Sequence, residues 1–178
     1  NLFVDNSGAA QQPVVLESNP TYTNLFGRIE YRQIGGMLQT DFALIRPGAL
    51  HQANGGVLVL RAEALAANGD SWVQLKGALR DSQIRVEERH RAGGVPIAGA
   101  PKPQPIPLDV KVVIAGAPNW YYTFFSIDPE FQAYFKVKAE IDPDLEATPQ
   151  SASCYAALIQ SFAARHGGAR CADDALKY

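Results

Sequence analysis

The stretch "GGVLVLRAEAL", Gly55 to Leu65, decides the reading of the fold. Val57 to Leu60 is apolar at every position. That is the pattern of a parallel strand covered on both faces, not of a half-exposed alternating strand. Folds that hydrolyse nucleotides often place an acid directly after such a strand, and here the next residue is Arg61. The stretch is either such a strand without its acid or ordinary core.

Its surroundings set the class. Upstream, Pro47 to Asn54 fits one or two helical turns opened by proline. Downstream, Asp70 or Ser71 caps a second helix that places Trp72, Leu75 and Leu79 on one face. Val110 to Ala115 is another apolar strand, broken only by Lys111. Strands alternating with helices predict an α/β fold with a mainly parallel sheet flanked by helices.

Further strands are expected at Leu2–Val4, Val14–Leu16, Ile84–Glu88 and Val137–Ile141. Asn19 to Gly27 reads as a turn. Arg28–Gln33 and Leu38–Ile45 make a β-hairpin insertion with Ile34, Gly35, Gly36 and Met37 at its tip. Ala92 to Pro107 holds five prolines and three glycines and reads as a long loop. Asn119 to Phe125 fits a helix, and Asp128-Pro129-Glu130 opens another. From Ser151 an amphipathic helix aligns Tyr155, Leu158, Ile159 and Phe162.

The chain has 178 residues, 47% hydrophobic and 19% charged, which fits one globular domain with a small appendage. A net charge of −2 argues against a nucleic-acid partner. No apolar run reaches the length of a membrane span. Cys154 and Cys171 lack metal spacing and read as free buried thiols, which fits a cytoplasmic protein. The chain starts "NLFVDNSGAA", without an initiator Met or a signal peptide, so it is expected to be part of a longer protein.

No phosphate loop of the form G-x-x-x-x-G-K-[ST] occurs, and no G-x-S-x-G elbow. His51, His90 and His166 are scattered, so no metal site is expected. His51 reads as a capping or packing residue and His90 as part of a solvated charge run. No complete catalytic centre is expected within these residues.

Four strings carry a resemblance: "NPTYTNLFGRIEY", "TDFALIRPGALHQANGGVLVL", "PIPLDVKVVIAG" and "YYTFFSIDPEFQAYFKVKAEID". Together they resemble the AAA+ module of Lon-like ATP-dependent proteases, of the LonB type. The resemblance implies a partial AAA+ core at residues 1–145 and the start of a helical lid at residues 146–178. It implies a hexameric ring that binds ATP and magnesium and feeds unfolded or damaged proteins to a Ser-Lys peptidase domain. That peptidase, and the phosphate loop, lie outside these residues, so no cofactor is expected bound to this segment. A degenerate pseudo-ATPase, acting as ring scaffold or substrate gate, is the alternative.

The resemblance also assigns positions. Val57–Leu60 matches the Walker B strand, where Asp and a second acid are expected; here they are Arg61 and Ala62. Glu63 comes one place late, and strand alternation would turn it to the other face. Val110–Ala115 matches the sensor-1 strand, but Gly116 and Ala117 offer no polar side chain. Lys136 falls near an arginine-finger position and reads equally as a solvated edge lysine. Gly36, Met37 and Leu38 match a substrate-gripping pore loop, with an ordinary hairpin tip as the plainer reading.

Overall fold

The computed structural model describes residues 4–6, 11–86, 97–98, 103–142, 144 and 146–167. They divide into two compact units, Asn1–Lys136 and Val137–Tyr178. In the first unit the order is β1 (Val14–Glu17), α1 (Tyr22–Phe26), β2 (Arg28–Ile29), β3 (Arg32–Ile34), β4 (Met37–Gln39), β5 (Ile45–Arg46) and α2 (Ala49–Gln52). There follow β6 (Val57–Arg61), α3 (Ala62–Ala67), α4 (Gly69–Asp81), β7 (Gln83–Ile84), β8 (Ile97–Ala98) and β9 (Ile106–Pro107). The unit closes with β10 (Lys111–Ala115), α5 (Pro118–Ile127) and α6 (Phe131–Tyr134).

The main sheet has the order β1-β6-β10 and is parallel throughout. Leu58 and Leu60 in its central strand are fully buried, and Val15, Val112 and Ile114 share their face. Leu25, Leu50, Leu65 and Leu75 from α1 to α4 pack there, joined by Phe124 and Phe131. The opposite face behaves differently from the expectation. Val57 and Val59 are only half-buried, while Val14, Leu16 and Val113 beside them are 69%, 63% and 46% exposed. A continuous apolar run does not reveal whether a second layer covers it. Among the described residues the helices of the core cluster cover one face.

Several local expectations are corrected. Asn19–Gly27 contains the helix α1, because the Thr21 hydroxyl caps it by accepting from the Asn24 amide. The run Leu38–Ile45 is interrupted by a 3-10 turn at Phe42–Leu44, where the Asp41 carboxylate accepts from the Ala43 amide at 2.6 Å. The hairpin itself forms: β3 pairs antiparallel with β4 across Gly35-Gly36, whose φ of 60° and 79° suit a type I′ turn. The expected loop 92–107 contributes two short strands. β8 pairs parallel with β4, and β9 pairs antiparallel with β7. The expected strand at Leu2–Val4 falls largely outside the described residues, as do Glu87 and Glu88.

In the second unit, Val137–Ile141 forms no strand. The helix α7 (Pro149–Arg165) starts at a Thr148 cap, whose hydroxyl accepts from the Ser151 amide while the Ser151 hydroxyl accepts from the Thr148 amide. Tyr155, Leu158, Ile159 and Phe162 lie exposed along it. Cys154 is a free thiol and exposed, not buried as its residue type implies; Cys171 lies outside the described residues.

Candidate functional site

Three parallel strands end at one edge of the sheet, and ligands of open α/β sheets bind outside the carboxyl ends of strands. Arg61 ends β6 directly beside Ala115 of β10. Ala62, Gly116 and Ala117 follow at once, so the fold gathers the expected nucleotide-site positions. Arg61 is exposed and has extended backbone at the start of α3, with no side-chain capping bond. Ala62 is buried, only 2% exposed. Ala117 occupies the capping position of α5 and, being Ala, has no oxygen to cap it with.

Gly116 is fixed by its neighbours. A Cβ there would stand 2.6 Å from the Ala62 Cβ, 3.2 Å from Glu63 Oε2 and 3.4 Å from Trp120 Cδ1. Just past the end of β10 the backbone therefore runs so close to α3 that any side chain would force a neighbour to shift. The same distances correct the reading of Glu63. The strand ends at Arg61, so alternation no longer applies, and the first turn of α3 brings the Glu63 carboxylate over the end of β10. The helix-forming run "AEALAA" (Ala62–Ala67) was the sequence signal for that change of period. Neither Arg61 nor Glu63 has an ion-pair partner among the described residues. At the end of β1, Glu17 Oε1 accepts from the Asn19 amide at 2.7 Å.

These residues do not fit a magnesium ion. Arg61 is a cation where a carboxylate ligand is needed, and Ala62 and Ala117 have no side-chain oxygen to offer. Among the described residues no cluster of three or more Asp, Glu, His or Cys could hold a metal.

The other expected positions are carried by other elements. Gly36 is exposed at the hairpin turn, and Met37 and Leu38 begin β4, with Leu38 half-buried. The base of the hairpin is tied by Glu30, which accepts from Arg28 at 2.8 Å and Arg46 at 2.9 Å. The Arg46 and Arg28 hydrogen bonds hold its carboxyl below the usual range. Lys136 is exposed, two residues past the end of α6.

The path to Lys136 passes a buried polar corner that the sequence did not announce. Asp128 Oδ2 accepts from the Trp72 indole at 2.6 Å and from Lys76 at 2.8 Å. Its Oδ1 accepts from the Glu130 amide at 2.9 Å. Lys76 also reaches Glu130 at 2.8 Å. Trp72, Phe124, Phe131 and Phe135 enclose the corner, with ring centroids 5.2–6.1 Å from Trp72. Burial alone would raise the Asp128 pKa, but the bonds from Lys76, the Glu130 amide and Trp72 outweigh it and hold it below its usual value. Burial would likewise lower Lys76, yet its two carboxylate partners raise it.

His51 is buried in α2, where its Nδ1 accepts from the Gly48 amide at 3.2 Å. It both packs in the core and caps the helix, the two roles expected of it, and burial lowers its pKa to about 4.

A profile of the LonB-like AAA domain family matches residues 10–142 of this chain. A protein of Escherichia coli (strain K12), described as a Lon protease homolog, is 26% identical over 165 residues, which cover 93% of this chain. The chain spans about a quarter (26%) of that relative's length. Among solved structures, NtrX from Brucella abortus superposes with a TM-score of 0.53 at 18% identity, over 93% of this chain and 34% of NtrX. NtrX in complex with ADP gives 0.52 at 18%, over 92% of this chain and 33% of its own. At that identity the likeness to NtrX is one of fold.

Proposed function

The chain belongs to the LonB-like AAA domain family, and on that premise we propose that it is the AAA+ segment of a Lon-like ATP-dependent protease. In this reading the segment binds ATP within a hexameric ring in the cytoplasm. It threads unfolded or damaged protein toward a Ser-Lys peptidase domain outside these residues. The family match over residues 10–142 carries the proposal. The parallel sheet supports it, since the positions expected at a nucleotide site meet at its carboxyl edge.

The remaining parts follow the same reading. Gly36, Met37 and Leu38 grip substrate. The turn has glycine at both central positions, exposed, with open space around each. A flexible turn beside an apolar side chain suits contact with many sequences. Lys136 reaches toward a neighbour's nucleotide, as a point charge and not a bidentate fork. Residues 146–178 begin the lid.

Arg61 favours a second reading, in which the module is a pseudo-ATPase serving as ring scaffold or substrate gate. One experiment separates the two. The full-length protein is given a chemically unfolded, fluorescently labelled protein with ATP, with a non-hydrolysable analogue, or with no nucleotide. Degradation that needs ATP and is slowed by Met37→Ala supports the threading motor. Degradation equal in all three conditions supports the gate, and no degradation in any defeats the protease reading.

A further inference from the structure

The mismatch with magnesium has a chemical consequence. A nucleoside di- or triphosphate is polyanionic and binds where positive charge offsets it. Along the carboxyl edge of the sheet, Glu17 already accepts from the Asn19 amide, Ala62 is buried, and Gly116 has no room for a side chain. Arg61 is exposed there, without an ion-pair partner among the described residues. A guanidinium keeps its charge at every physiological pH and binds phosphate oxygens through two parallel N–H donors. Glu17 and Glu63 are the two acids at this edge; Glu17 is engaged through one oxygen only, and no cluster of three or more metal-binding side chains occurs among the described residues, so Arg61 is the one basic group that these residues place there at a strand end.

We infer that this edge binds the phosphates of a nucleotide without a divalent cation, Arg61 supplying the charge that the ion would have brought. The inference rests on the nucleotide-site reading above. It makes the segment a nucleotide binder whose occupancy is independent of magnesium.

Calorimetric titration of ADP and ATP into the full-length protein, with magnesium and then with EDTA, tests it. The expected dissociation constants agree within about twofold between the two conditions, and Arg61→Ala weakens both by about tenfold or more. In Arg61→Asp, binding in EDTA is lost and magnesium restores it. Binding of the unaltered protein that requires magnesium, and that Glu63→Gln abolishes, overturns the inference in favour of a metal site built on Glu63. No binding in either condition defeats the nucleotide reading itself. Thermal melts of the variants without nucleotide confirm that each is folded.

Discussion

Two regions hold charged side chains in opposite ways. At the Trp72–Lys76–Asp128 corner every charge has a partner, and Asp128 alone accepts three hydrogen bonds. At the carboxyl edge, Arg61 and Glu63 flank buried Ala62 and pair with nothing among the described residues. Asp128 and Lys76 are largely enclosed, at 10% and 14% exposure, so breaking their pairing costs more than breaking a surface pair. The edge is wet, so unpaired charge there costs little and remains available to a ligand. The contrast separates groups that hold the fold from groups that the fold leaves exposed and unpaired.

The largest expected effect lies at the corner. Asp128→Ala strands the Trp72 N–H and removes the less exposed of the two carboxylates on Lys76. A loss of about 3 kcal/mol in urea denaturation is expected. A loss below about 0.5 kcal/mol would remove the basis of the contrast.

His51 sharpens the contrast from the side of protonation. Its folded pKa lies below its ordinary 6.5, at about 4, because burial disfavours the charged ring. Stability is thus complete above pH 6.5 and falls as the pH drops from there toward 4, by up to about 3 kcal/mol. Melts across that window should show the slope, and His51→Ala should flatten it. Asp128 interferes little, since its pKa is lowered and its own loss sets in only as the pH nears its usual 3.8 and continues below it.

Gly116→Ala probes the edge where packing, not charge, sets the limit. The added methyl must displace Ala62 or Glu63, and about 1–3 kcal/mol of destabilisation is expected. An unchanged melting temperature would show that α3 yields freely and that Glu63 is not held against β10.

The sequence carried the class of fold well because the deciding signals are local. The apolar runs at Val57–Leu60 and Val110–Ala115 mark the parallel sheet, and Gly35-Gly36 marks the hairpin tip. It misjudged Glu63 because one residue decides whether a period of two or of 3.6 applies, and the strand ends at Arg61. The corner was not legible at all. Trp72 and Asp128 stand 56 positions apart, and Asp128 looked complete as a local cap. The strand β8 was hidden within a proline-rich stretch, since two residues paired to a distant hairpin leave no periodicity. Arg61 was legible as a departure only through the resemblance, because the apolar run alone fits any buried strand.

The smallest expected effect on folding tests the account most directly. Arg61→Ala and Asp128→Ala are melted side by side in the full-length protein, each with and without ADP. Without nucleotide, Arg61→Ala should melt within about 0.5 kcal/mol of the unaltered protein, while Asp128→Ala melts well below it. With ADP, the unaltered protein and Asp128→Ala should both be stabilised, and Arg61→Ala should not. If Arg61→Ala is instead destabilised without ligand and still gains stability from ADP, Arg61 is a structural residue and the division between the two regions is wrong.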